Sequence, residues 1–215
     1  MTLMATHVSN VVRQSPHQKF FAMQNDQRLI SIDRGSVIPM IKNKIWFVVQ
    51  GLVKFRSKTI YEDSLILGYA GPNELFGEPL INMEVFQTIA MTNCQFYCID
   101  IDEIYKSKSL LIEMNKSLSL RYRQSESMLS ITGIKKSLLK IFGFLEMIAL
   151  DYGKPVEKGL SIPFTLTHEE ISDVLGMTRV TVTRTLSSLR DKGLIEKDSN
   201  RNFVILNSLS SDLIN

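Results

Sequence analysis

Three regimes of hydrophobic patterning follow one another along the chain. From about Arg28 to Ile101, short alternating or apolar runs (SVIPMI, KIWFVVQG, LVKFRS, SLILGYAG, FQTIAMT, QFYCIDI) are separated by Gly, Asn, Asp and Pro. That spacing predicts an antiparallel β-sandwich or barrel. From Asp102 to about Thr132 the period turns helical, and a heptad frame runs through Leu111, Met114, Leu118, Arg121, Ser125 and Met128. Such a frame predicts a dimer seam, with Arg121 and Ser125 as polar breaks that demand a partner. A second amphipathic helix over Ser137 to Asp151 carries Leu138, Ile141, Phe142, Leu145 and Ile148 on its apolar face, and Gly133 is the expected hinge before it. The chain is therefore expected to be α+β, with a β-domain over 1–108, a dimerisation helix and hinge over 109–134, and a third domain over 135–215.

Within that third domain the pattern becomes specific. In TLTHEEISDVLGMTRVTVTRTLSSLR, Thr165 to Arg190, Ile171, Val174 and Leu175 form one apolar stripe and Val182, Leu186 and Leu189 another. Two short helices of this kind bury their stripes against each other. Thr167 followed by Glu170 is a capping box, Gly176 supplies the positive φ of a sharp turn, and Thr178 caps the second helix. The first two turns of that helix then expose Arg179, Val180, Thr181, Thr183 and Arg184, a surface with two cations and no acid. Arginine bonds both O6 and N7 of guanine, and a β-branched side chain such as Val180 meets a thymine methyl, so this is the face of a recognition helix. Downstream, two apolar runs around the polar loop Asp198 to Asn202 read as a β-hairpin wing, with Lys197 and Arg201 as phosphate contacts. His168 reads as a further phosphate contact or a surface residue. The competing reading is a helical hairpin whose arginines are ordinary surface charges; cap, turn glycine and wing arriving together weigh against it.

Composition sets the limits. The chain has 215 residues, 44% of them hydrophobic, enough for a buried core. A net charge of +3 is too small for a general polyanion binder, so DNA affinity must come from local clustering of Lys and Arg. With no long apolar run and no charged segment leading into an apolar one at the N-terminus, neither a membrane span nor a secretory signal is expected, and the protein is read as soluble and intracellular. Cys94 and Cys98 fall on the same face of a strand, where a disulfide is sterically poor and burial is expected. The weighting toward Ile, Lys, Asn and Ser is that of an AT-rich genome, so the expected location is a bacterial cytoplasm or a plastid stroma.

A β-domain, a long seam helix and a winged helix-turn-helix in that order resemble the Crp/Fnr family of dimeric transcription regulators over nearly the whole chain. The residues that carry the resemblance are DYG at Asp151 to Gly153, LTHEEI from Leu166, and GMTRVTVTR from Gly176 to Arg184. Within the family the chain looks closest to the global nitrogen regulators of cyanobacteria and their plastid-encoded red-algal relatives. The resemblance implies an N-terminal β-roll of the cyclic-nucleotide-binding kind and a palindromic GTA-N8-TAC site read by Arg179, Val180 and Arg184. It also implies control of nitrogen-responsive genes, with double-stranded DNA, a second copy and RNA polymerase as partners and no enzymatic activity. Those regulators bind 2-oxoglutarate, which the resemblance places at a turn formed here by Phe76 and Gly77 and at the helix positions Arg121 and Glu126. The chain departs from the pattern at Glu84, which stands where a further arginine is expected; a carboxylate there repels a dicarboxylate.

Other constellations are weaker. Gly77 and Glu78 match part of a cyclic-nucleotide site, but INMEVFQTIAMT lacks the Arg-Ser that neutralises the phosphate. His7, His17 and His168 are far apart, so a metalloenzyme on the β-domain lacks its ligands. Arg121 and Glu126, five residues apart, stand roughly 140° apart around a helix and cannot pair well within it. Phe76 and Gly77 read equally as a turn that packs the core. The alternative function is a ligand-binding or interaction protein working through the β-domain, with a vestigial helix-turn-helix.

Overall fold

The computed structural model describes residues 29–58, 64–80 and 86–206; His7, His17 and Glu84 lie outside them. Among the described residues the N-terminal part holds eight strands: β1 (Ile30–Ile32), β2 (Val37–Ile38), β3 (Lys44–Gln50), β4 (Val53–Lys58), β5 (Ser64–Ala70), β6 (Leu75–Gly77), β7 (Phe86–Ala90) and β8 (Cys94–Asp100). They form two four-stranded antiparallel sheets, β1-β8-β3-β6 and β2-β7-β4-β5. β3 is buried on both faces, so its period-2 alternation shares it between two cores. Trp46 and Val48 meet Val53, Phe55, Phe76 and Phe96 between the sheets. Ile45 and Phe47 meet Ile99, Ile101, Ile104 and Leu110 on the outer face, which seats the first helices there. Cys94 and Cys98 are free and share the core between the sheets, as strand alternation predicts.

The predicted helix from Asp102 is divided. α1 (Ile101–Lys106) ends at Ser107, whose extended backbone breaks the helix and whose Oγ accepts from Leu110 N at 3.4 Å to start α2 (Lys108–Gly133). α3 (Ser137–Tyr152) follows after a three-residue link, with Ile141, Phe142, Leu145 and Ile148 buried as expected. Then come β9 (Lys154–Val156), β10 (Gly159–Ser161), α4 (His168–Leu175), α5 (Arg179–Asp191), β11 (Ile195–Lys197) and β12 (Phe203–Leu206). The last four strands form one sheet, β11-β12-β10-β9, so the wing extends a sheet begun by the β9–β10 hairpin, which the sequence pattern did not reveal.

The seam frame requires a correction. The face of α2 turned to its own chain carries Leu110, Glu113, Ser117, Gln124 and Ile131, all buried, and Arg121 lies with them. The face left open carries Leu118, Tyr122, Ser125 and Leu129, spaced 4, 3 and 4 residues apart, with Leu129 74% exposed. The inner face is polar because it meets backbone as well as side chains. β6 and β5 are the edge strands of their sheets, and edge amides and carbonyls need partners when covered. Ser117 Oγ accepts from Leu75 N at 2.9 Å, Arg121 Nη2 donates to Leu75 O at 3.1 Å, and Gln124 Oε1 accepts from Tyr69 N at 3.2 Å. Helix α2 thus closes two sheet edges with side chains, which a search for apolar periodicity misreads as breaks in a seam.

Candidate nucleic-acid interface and effector region

The geometry of the helix-turn-helix follows its local signals. Thr167 Oγ1 accepts from Glu170 N while the Glu170 carboxylate accepts from Thr167 N, at 3.1 and 3.0 Å, completing the capping box. Gly176 holds φ 61°, the left-handed value that ends α4, and Thr178 Oγ1 accepts from Thr181 N at 3.2 Å to begin α5. Val182, Leu186 and Leu189 are buried against Ile171, Val174 and Leu175. Of the predicted face, Arg179, Thr183 and Arg184 are exposed and Val180 is 60% exposed, while Thr181 is half-buried; the first turn carries no acid.

The hydroxyls on this face are committed locally. Thr181 Oγ1 lies 2.8 Å from Thr178 Oγ1. Thr183 Oγ1 donates to Arg179 O at 2.9 Å and stands 2.8 Å from His168 Nδ1, so the imidazole is held between α4 and α5. Burial, and then the nearby Lys197, Arg179 and Arg190, push His168 below the usual histidine value. On the wing, Lys197 Nζ stands 4.8 Å from the centroid of the Phe203 ring. The turn is built on Asp198, whose carboxylate accepts from Asn200 N and Asn202 N at 2.9 Å and from Ser161 Oγ at 3.0 Å. These bonds, that of Asn202 first, hold the carboxyl below its ordinary value. Arg201, at φ 62°, is exposed at the tip.

The residues assigned to an effector are only partly brought together. Phe76 is wholly buried, edge-on to Phe55 and Phe96 with centroids 5.5 and 6.0 Å away. Gly77 sits so close to β3 that a Cβ would lie 2.4 Å from Lys44 O, so its glycine is a packing requirement. Arg121 lies over Phe55, 4.6 Å from the centroid, and its Nε is buried with no hydrogen-bond partner among the described residues. Burial pushes this guanidinium down while Glu74 holds it up. Glu126 is apart from these three, exposed and bonded to the Tyr122 hydroxyl on the open face of α2, in keeping with its angular distance from Arg121.

Sequence reasoning missed the contacts that join the β-domain to the helix-turn-helix. Gln124 Nε2 donates to Tyr152 Oη at 2.6 Å, Tyr152 Oη donates to Tyr69 O at 3.1 Å, and Tyr69 N donates back to Gln124 Oε1, a closed ring linking α2, α3 and β5. Beside it, Glu74 accepts from Gly71 N at 3.1 Å; burial pushes its carboxyl up to about 7, against the pull of Gly71 N, Arg121 and Tyr152 and with a push from Asp151. Lys54 of β4 pairs with Glu170 of α4 at 2.9 Å, tying the capping box to the β-domain. Burial raises Glu170, and the Lys54 and Thr167 bonds more than offset it. Leu52, Ile66, Tyr69 and Met91 share one core with α3, α4 and α5. The only sequence trace of the ring is Tyr152 in DYG.

Residues 140–209 match the Crp-like helix-turn-helix domain. The regulatory protein CysR of Synechococcus elongatus is 30% identical over 169 residues, which span 77% of this chain and 78% of that protein. The chain belongs to the Crp/Fnr family of transcription regulators. A global nitrogen regulator of a Nostoc species is 26% identical over 71% of this chain and 72% of its own length. Among solved structures, a cyclic nucleotide-binding domain containing protein from Listeria monocytogenes superposes with a TM-score of 0.72 at 14% identity, covering 85% of this chain and 91% of that one. A CRP/FNR family regulator from Thermus thermophilus gives 0.65 at 20% identity, covering 84% and 94%. These likenesses establish the β-domain, helices and helix-turn-helix order of the fold. No helix of the described residues is long and apolar enough to cross a membrane, and among them no group of three or more His, Cys, Asp or Glu is arranged to hold a metal ion.

Proposed function

We propose that this regulator reads a palindromic GTA-N8-TAC-type site as a homodimer and controls nitrogen-responsive genes. The observation that carries the reading is the acid-free outer face of α5, where Arg179, Val180 and Arg184 stand exposed on a helix started by the Thr178 cap. An apolar residue left 60% exposed between two arginines suits a thymine methyl better than water. Thr178, Thr181 and Thr183 shape this face, while His168, Lys197 and Arg201 flank it as phosphate contacts. Pairing two copies along Leu118, Tyr122, Ser125 and Leu129 of α2 sets the two recognition helices about 34 Å apart, one turn of DNA. The domain division is 1–108, 109–134 and 135–215, with RNA polymerase as the further partner.

2-Oxoglutarate is the effector this reading carries, approaching Arg121 beside the Phe76 and Gly77 turn. The free Nε of Arg121 supports a carboxylate contact; its bonds to Leu75 O and the Phe55 face compete with one. Glu126, on the open face of α2, faces the second copy instead. An effector acts here only through different affinity for the DNA-competent arrangement. The test is binding of the purified protein to a GTA-N8-TAC duplex and a scrambled control at two salt concentrations, with and without 2-oxoglutarate. Selective, salt-sensitive binding strengthened by the ligand is expected. Selective binding indifferent to ligand removes 2-oxoglutarate, and absence of selectivity returns the function to a ligand-binding or interaction protein.

A further inference from the structure

On the DNA-reading assignment, the Thr183 hydroxyl beside that face sets the tautomer of His168. Thr183 has one hydroxyl hydrogen, and it is given to Arg179 O. Its lone pairs therefore face His168 Nδ1, which must carry the hydrogen of that 2.8 Å contact. Nε2 is then the bare nitrogen of the neutral ring, without a protein partner among the described residues, and it becomes a donor only when the ring is protonated. The charges that weigh against protonating the ring are Lys197 of β11 and Arg179 and Arg190 of α5. Half-buried and beside charges of one sign, the imidazole is biased toward its neutral form in the free protein.

A DNA backbone reverses that balance. A phosphate settling on Lys197 beside the ring offsets the positive charge that opposes protonation and offers Nε2–H an anionic acceptor. We propose that His168 takes up a proton as DNA docks, making the affinity of this regulator for DNA rise as the pH falls. The sign follows from linkage: the complex holds more protons than the separated partners, so acid favours it. The window lies between the depressed value of the free ring, below 6.5, and its raised value in the complex. Each protomer contributes at most one proton, about tenfold in affinity per pH unit.

The experiment measures affinity for the GTA-N8-TAC duplex by fluorescence anisotropy from pH 6.0 to 8.0 at fixed salt, for the parent protein, His168→Gln, His168→Arg and Glu74→Gln. The parent is expected to bind about three- to tenfold tighter at pH 6.0 than at pH 7.5. His168→Gln should be flat at the weak end, and His168→Arg flat near the tight end because its charge is permanent. Glu74→Gln, which removes a second group pushed toward neutrality among the described residues, should keep the parent slope. Calorimetry in two buffers of different ionisation enthalpy should show proton uptake by the parent and none by His168→Gln. Selective binding with no slope, or a slope that survives in His168→Gln, overturns the proton linkage while leaving the DNA reading in place. Binding with no preference for the duplex at any pH overturns both.

Discussion

Replacing Gln124 with alanine opens the hydrogen-bonded ring that ties α2 to the β-domain and to α3. Two bonds are lost, from Tyr69 N at 3.2 Å and to Tyr152 Oη at 2.6 Å, and the amide of the buried Tyr69 is left without an acceptor. A lost hydrogen bond costs about 0.5–1.5 kcal/mol and an orphaned buried donor about 1–3 kcal/mol, so the variant should lose roughly 2–4 kcal/mol. Tyr152→Phe keeps the ring but removes the hydroxyl, and should cost about 1–2 kcal/mol. Both changes delete the bond between Gln124 and Tyr152, so the double variant should fall short of additivity by about 0.5 kcal/mol or more. Urea unfolding at fixed protomer concentration, followed by far-ultraviolet circular dichroism and by the single tryptophan, Trp46 in β3, reports on the whole chain and on the β-domain. A loss below about 0.5 kcal/mol for Gln124→Ala, or strict additivity, would refute the ring as a stabilising unit.

Further outcomes are expected elsewhere. Arg179→Ala and Arg184→Ala should each cost roughly 1–3 kcal/mol of discrimination between the palindrome and a scrambled duplex, whereas Lys197→Ala should weaken both alike, as titrations against the two duplexes will show. Glu74 is pushed up to about 7, so the stability it contributes is fully present below about 4.5 and lost as pH rises through about 7. Glu74→Gln should therefore match the parent at pH 4 and exceed it at pH 8 by on the order of 2–3 kcal/mol in urea unfolding. Leu118→Asp combined with Leu129→Asp should dissociate the homodimer in sedimentation experiments while leaving the circular dichroism of the β-domain unchanged; a dimer that persists would move the interface off α2.

Much of the helix-turn-helix is legible in the chain because its signals are local. The capping box, the left-handed glycine and the Thr178 cap each act within four residues, and two apolar stripes of helical period have only each other and α3 to pack against. Strand alternation likewise locates most β-domain strands and puts both cysteines on the inner face. The same locality explains what went unread. Apolar periodicity treats a buried polar residue as a break, yet Ser117, Arg121 and Gln124 are inward-facing because the edge strands β5 and β6 present backbone groups that need partners. Which amides those are depends on strand order, a property of residues about 40 to 55 positions away. The frame of α2 therefore slipped: Arg121, placed in a seam, faces its own chain, and the open stripe runs instead through Leu118, Tyr122 and Leu129. The Lys54–Glu170 pair, 116 residues apart in sequence, has the same origin. Short-range chemistry wrote the elements, their caps and the exposed, acid-free start of α5 into the sequence, while the partners of the buried polar side chains arose only when distant strands and helices closed on one another.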